Sequence, residues 1–373
     1  MTDERLLEAV AAEGLPGSLI ARPTQPLDNE TWNSLLRRVD SERLAGLLQA
    51  TIDSGSWPAT NDQRAEAAAL HIGTMGRVLL LDRTLLEVAG FFDERDLPFR
   101  VLKGSAVAHL DYADPGLRAF GDVDILVRSS DFDKALTILL RKGYKDMFAE
   151  PRPGFTGRFG KSATLRSPNG HELDLHRTFV LGPYGLTVDF ESLWSEQETF
   201  AVGGRPLSAI SAEARVLNAC YHAVLGGWPP RLLALRDVAE LLLFGRYDET
   251  RLRDVGRLWG AEAVLAKAVR LTWERFQLAD VTSVSAWSHR YQPTSVDSRR
   301  LALYERDSSY AAQSLAAVSV LPRMRDKIAF VRSLSIPDRT FLADHPTGSG
   351  TGRGVWLARG VRRGLRGAAR GRY

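Results

Sequence analysis

Two acidic residues two positions apart, Asp122 and Asp124, open an apolar run that continues through Val127. Side chains of a strand alternate with period two, so these carboxylates share one face while Val123 and Ile125 take the other. Like charges that close together need a bridging cation or a shared proton, and a divalent metal is the natural partner. Upstream, Gly104-Ser105 follows the short apolar run 100–102 and leads into a helical pattern. Backbone N–H groups at such a turn favour a phosphate. Downstream, the run 171–176 reads His-Glu-Leu-Asp-Leu-His, which places Glu172, Asp174 and His176 together on one strand face. Three carboxylates on neighbouring strands beside a phosphate-binding turn are what two-metal phosphoryl or nucleotidyl transfer requires. Asp174 and Glu172 compete for the role of third acid. His176 is either a substrate contact, a partner that holds Asp174 in place, or a packed strand-end residue. Lys103, before the turn, and Arg118, in the loop before Asp122, are the bases placed to neutralise phosphate charge. For Arg118 a salt bridge to Asp114 is the competing assignment.

The elements that position these residues follow from periodicity and punctuation. Residues 1–95 read as a helical region. Leu6, Leu7 and Val10 form one apolar face, a second segment carries Trp32, Leu35, Leu36, Leu44, Leu47 and Leu48, and a long third segment ends before Pro98. Residues 96–209 form a small mixed sheet with helices, in the order β–α–β–α–β–β–β, with strands at 100–102, 123–127, 144–148, 162–166 and 172–177. Asn169-Gly170 marks a hairpin between the last two. Residues 210–340 return to helix, and 341–373 form a basic, Gly-rich tail expected to be disordered. The fold class is therefore α+β, a small mixed β-sheet core flanked by N-terminal and C-terminal helical regions. Sixteen residues, 106–121, separate Ser105 from Asp122, and the Pro115-Gly116 loop is expected to absorb them.

Composition bounds the function classes. The 373 residues are 44% hydrophobic and 25% charged, an ordinary globular balance with room for more than one domain. The single cysteine, Cys220, excludes an intrachain disulfide and a cysteine-based zinc site, and a reducing, cytoplasmic setting is expected. No signal peptide is evident and no apolar run is long enough to span a bilayer. The net charge of +4 is a property of the tail, since residues 351–373 hold seven arginines and no acid. Nucleic acid or an anionic membrane surface is therefore a candidate partner only through that tail.

The quoted motifs, Leu-Lys-Gly-Ser, then Tyr-x-Asp-Pro-Gly-Leu-Arg-x-x-Gly-Asp-Val-Asp-Ile-Leu-Val, then Glu-Leu-Asp-Leu-His, together with His222 and the Arg231–Asp237 segment, resemble the poorly characterised nucleotidyltransferase family of the DNA polymerase β-like superfamily. The resemblance covers about 96–245. It implies an NTP held by Gly104 and Ser105, Mg²⁺ or Mn²⁺ held by Asp122 and Asp124, Asp174 as the third acid, and pyrophosphate as the leaving product. It also makes a substrate-side role conceivable for His222, Arg231 and Asp237, whose default reading, with Arg236, is capping or buried ion pairing. The acceptor stays open among a small molecule, peptide, glycan precursor, RNA end or protein side chain, with the acidic body favouring a small acceptor. A metal-dependent sugar-nucleotide glycosyltransferase and an inactive nucleotide-binding module are the rival readings.

Overall fold

A computed structural model describes residues 2–279, 282–305, 310–338 and 341; the tail expected to be disordered lies, apart from Phe341, outside the described residues. The N-terminal chain forms helices α1 (Asp3–Ala11), α2 (Asn29–Ser41), α3 (Ala45–Asp53) and α4 (Asn61–Asp93). Side chains satisfy the orphan N–H groups at their starts. Asp28 accepts from the Thr31 N–H in α2, and Thr60 with Gln63 forms a reciprocal capping box in α4. The segment expected to run unbroken through Leu48 is instead two helices, because the chain turns at Arg43, which adopts φ 62°. Both helices bury their leucines in the same core, so the apolar spacing passes across the turn without revealing it.

The sheet strands are β1 (Phe99–Val101), β2 (Val123–Val127), β3 (Lys145–Asp146), β4 (Ser162–Arg166), β5 (Glu172–His176), β6 (Glu198–Val202) and β7 (Arg205–Ala209). Their spatial order is β3-β4-β5-β2-β1-β7-β6. The sequence reading stopped one hairpin short: β6 and β7 alternate around Gly203-Gly204, a signal for a tight antiparallel pair that was present but not used. β2 is buried along its whole length, between antiparallel β1 and parallel β5, which explains its continuous apolar run.

Short helices α5 (Ser105–Asp111), α6 (Phe132–Arg141), α7 (Phe155–Phe159), α8 (Pro183–Thr187) and α9 (Phe190–Ser195) fill the connections. Val123, Ile125 and Val127 point to one face, where they meet Leu81, Leu85 and Val88 of α4 and Leu139 of α6. Leu102 and Leu126 point to the other, into a larger core built by α1 to α3 and the helices after the sheet. Those are α10 (Ala212–Leu225), α11 (Leu232–Phe244), α12 (Glu249–Leu258), α13 (Glu262–Arg275), α14 (Ser283–Arg290) and α15 (Ser295–Ala302). Then α16 (Tyr310–Val320) and α17 (Met324–Ser335) follow, and Phe330 of α17 packs on Phe155 and Phe159 of α7. Among the described residues no helix is long and apolar enough to cross a membrane.

The loop between α5 and β2 is held from the N-terminal side. It contains a 3-10 turn, Pro115–Leu117, capped by Asp114, whose carboxylate accepts from the Gly116 N–H at 2.8 Å. Gly46 of α3 lies against this turn, and a Cβ at Gly46 would sit 2.1 Å from the Gly116 carbonyl oxygen and 2.8 Å from Leu117 Cα. Gly46→Ala is therefore expected to destabilise the fold by about 1–3 kcal/mol through overpacking. Thermal unfolding of the variant beside the wild type measures it.

Candidate functional site

The parallel register of β2 and β5 aligns Asp124 with Asp174 and Leu126 with His176, and the antiparallel register of β4 adds Thr164 opposite Asp174. Two acids and a histidine from separate parts of the chain thus meet on one sheet face. Asp124, Asp174 and His176 each offer one donor atom within 4.8 Å of the others. Asp122, at the entrance to β2, is not one of this close group, and its side chain is more open to solvent.

Cations surround these acids. Asp124 Oδ1 lies 2.9 Å from Lys103 Nζ and 2.7 Å from His176 Nε2. His176 Nδ1 faces the Thr178 carbonyl at 3.0 Å, so both ring nitrogens face oxygen acceptors. Thr164 Oγ1 donates to Asp174 Oδ1 at 2.6 Å, leaving Oδ2 with the more distant Lys161 at 3.6 Å and His176 at 3.7 Å. Burial by itself would raise the Asp124 pKa, but the Lys103 ammonium and the His176 bond outweigh it and hold this carboxyl well below the usual carboxylate range. Asp122 moves the other way, pushed up by the neighbouring Asp124 charge and by burial, with Lys103 and Arg43 opposing. Burial disfavours the Lys103 charge, yet the carboxylates of Asp124 and Asp122 more than compensate and raise its pKa. Glu172 is exposed at the outer end of β5; burial and the charges of Asp122 and Asp174 raise its pKa.

Gly104 carries the turn after β1 at φ 51° and ψ −115°, a conformation that favours glycine, and a Cβ there would approach the Phe120 ring at 3.3 Å. Its carbonyl accepts from Arg118 Nη1 at 3.1 Å. Arg118 does not pair with Asp114, the alternative left by the sequence, because Asp114 is committed to its own turn. It is buried and forms a two-pronged bond to Asp237 of α11, Nε to Oδ1 and Nη2 to Oδ2, each 2.8 Å. Tyr112 Oη also donates to Asp237 Oδ1, at 2.9 Å. Arg118 thus supports the Gly104 turn from inside the protein, and Asp237 belongs with it.

The remaining polar residues of the helical region disperse. Arg236 binds Glu240 and the Ala11 carbonyl, Arg231 is exposed at the N-cap of α11, and Cys220 is buried. His222 is exposed on α10, while desolvation by the protein packed near it and the Lys103 charge draw its pKa below the usual imidazole range.

A narrow cleft, too tight to hold a water molecule, lies between α4 and the Gly104 turn and is lined by Asp82, Lys103, Ser105, Phe120, Asp122 and Asp124. Within it Ser105 Oγ and Asp82 Oδ1 are buried without a hydrogen bond of ordinary length, though Ser105 lies close enough to Asp82 to favour its charged form. Asp82 was missed from sequence. The available signal was a lone acid among Leu79, Leu80, Leu81, Leu85 and Leu86, on the face of α4 that Val78, Leu85 and Phe92 bury. Burial raises its pKa, with Ser105 and His109 opposing. The folded state therefore disfavours its anion, a penalty present at neutral pH and absent below the unfolded value near 3.8. Asp82→Asn is expected to stabilise the protein at neutral pH, with the gain fading as the pH falls through that value. Urea unfolding across pH tests the sign.

The carboxylate oxygens of Asp124 and Asp174 fit a hard divalent cation such as Mg²⁺ or Mn²⁺, while both His176 nitrogens face oxygens of the protein. Two solved structures are similar to the chain at low identity. One is an antigenic nucleotidyltransferase-like protein from Paracoccidioides brasiliensis, 16% identical with TM-score 0.33, covering 53% of this chain and 92% of that one. The other is the antibiotic-resistance factor ANT(2'')-Ia, 17% identical with TM-score 0.29, covering 56% and 95%. No curated protein matches the chain. A family model described as an uncharacterised nucleotidyltransferase matches residues 28–277, well over half of the sequence and spanning every residue of the site, and the chain belongs to that family.

Proposed function

We propose that the protein moves a nucleoside monophosphate from a metal-complexed NTP to a hydroxyl of an acceptor, with release of pyrophosphate. The observation that carries this reading is the juxtaposition of Asp124 and Asp174, aligned on neighbouring strands, with Lys103 and the Gly104-Ser105 turn beside them. Asp122, Asp124 and Asp174 would hold the divalent cation, which supplies Lewis-acid polarisation of the reacting phosphate when bound. Gly104 and Ser105 hold the terminal phosphates, and Lys103 leans from Asp124 toward them to balance their charge. Asp174, through its freer Oδ2, orients the acceptor hydroxyl and takes its proton as the oxygen bonds to the α-phosphorus and the bond to pyrophosphate breaks. His176 keeps Asp124 in place, and Arg118 with Asp237 keeps the turn in place.

A small molecule, peptide or glycan precursor suits the acceptor role better than a long nucleic acid, because the Arg-rich stretch is confined to 351–373. The test incubates purified protein with Mg²⁺ and each labelled NTP, first alone to measure binding and then with fractionated metabolites, RNA and protein. Label and pyrophosphate appearing together in one fraction support the reading and name the acceptor class. If the protein binds no NTP, the reading fails.

A further inference from the structure

Arg43 ends α2 in a helix cap, its N–H bonded to the Asp40 carbonyl at 3.0 Å and the Leu44 N–H to the Val39 carbonyl at 2.9 Å, but its side chain has a setting that these contacts do not account for. At φ 62° the residue lies in the left-handed region, where a side chain other than glycine is disfavoured. The surroundings hold it there: Leu44 beside it is fully buried, and Glu42 Oε2 accepts the Leu232 N–H at the start of α11, at 3.1 Å. From this turn the guanidinium lies across Gly121. A Cβ built on Gly121 would fall 2.3 Å from Arg43 Nη2 and 2.7 Å from its Cζ, so a side chain there would move the guanidinium aside. The side chain ends with Nη1 3.8 Å from Asp122 Oδ1, beyond hydrogen-bond length, at 38% exposure. Its donors make no hydrogen bond among the described residues.

A loose, half-exposed ion pair adds little stability. The left-handed backbone is the ordinary end of a helix, so what has no structural return is the guanidinium itself, whose donors stay unused beside Asp122. The group held here is a planar, permanently charged fork suited to phosphate oxygens, aimed at the carboxylate that opens the catalytic strand.

We infer that Arg43 is a further nucleotide-binding residue, contributed by the N-terminal helical region, whose guanidinium takes phosphate oxygens of the NTP beside Asp122. This rests on the nucleotidyltransfer reading of the site. It completes a row of three bases against three acids: Lys103 on Asp124, Lys161 near Asp174, and Arg43 near Asp122. The incoming triphosphate would draw Arg43 away from Asp122, freeing that carboxylate to hold the cation.

The deciding variant is Arg43→Gly, because glycine suits this backbone and removes only the side chain. Its Tm is expected to equal or exceed that of the wild type, while NTP affinity in Mg²⁺, measured by calorimetry, falls roughly 10- to 100-fold, the range for lost charge-assisted hydrogen bonds. Gly121→Ala, which displaces the guanidinium, is expected to weaken binding similarly, and the double variant to bind no worse than Arg43→Gly alone. Arg43→Lys is expected to recover part of the loss. Equal NTP affinity in Arg43→Gly and wild type overturns this inference and leaves the reading of the site standing. A full extra loss in the double variant also overturns it. A wild type that binds no NTP overturns the reading of the site and this inference with it.

Discussion

Asp124→Asn is expected to lower nucleotidyl transfer by about 10³-fold or more, the scale of losing a preorganised charge at the reacting centre. Asp124 is the most deeply buried of the site's acids: one of its oxygens receives both Lys103 and His176, and its strand register places it beside Asp174. The amide is nearly the same size, so the loss reports charge rather than packing. Stability should change as well. The folded pKa of Asp124 lies below its unfolded value, so the carboxylate stabilises the fold above pH 3.8 and loses that contribution as the pH falls through the depressed folded value. The variant should therefore have a lower Tm than wild type at neutral pH, and the two should converge in strong acid. Transfer assays at saturating NTP, with thermal scans at several pH values, separate the two effects. Activity in the variant close to that of the wild type would remove Asp124 from the metal site.

Asp237→Ala is expected to cost about 3–5 kcal/mol of stability, because it leaves the Arg118 guanidinium buried without its carboxylate. Burial opposes the Arg118 charge and Asp237 more than compensates, raising its pKa; removing the partner leaves only the penalty. Tyr112 loses its acceptor in the same step. The consequence reaches the site through one bond, Arg118 Nη1 to the Gly104 carbonyl. If the variant is assayed at a temperature where it is still folded, KM for NTP should rise, since the turn that meets the phosphates has lost its support. Asp237→Asn, which retains the shape and one acceptor, should fall between wild type and alanine on both measures. A drop in urea midpoint with an unchanged KM would confine Asp237 to stability.

These two residues illustrate how differently parts of the site could be read. Asp124 was legible because a strand has a fixed two-residue period, so Asp-Val-Asp within an apolar run states its own geometry. The same rule placed Asp174 and His176 on one face, and the glycine before Ser105 marked the turn. Asp237 was visible only as a polar residue on an apolar helix, and the partner expected for Arg118 was the nearby Asp114 instead. Local capping took Asp114, and a residue from α11 took Arg118. The β6–β7 hairpin was readable from its Gly-Gly turn and alternation, and was overlooked.

The sequence by itself determined the local geometry: which acids share a strand face, where the chain turns tightly, and that helices flank a small mixed sheet. Those are local properties, set by backbone periods and by glycine's conformational range. Only the tertiary structure decided which distant side chains complete the site. Asp82 and Arg43 come from helices and a turn whose orientation depends on what they pack against, and no local period states that. Arg43 depends further on a left-handed turn hidden within an apolar repeat and on the absence of a side chain at Gly121. Such a placement exists only once both halves of the core have closed around it.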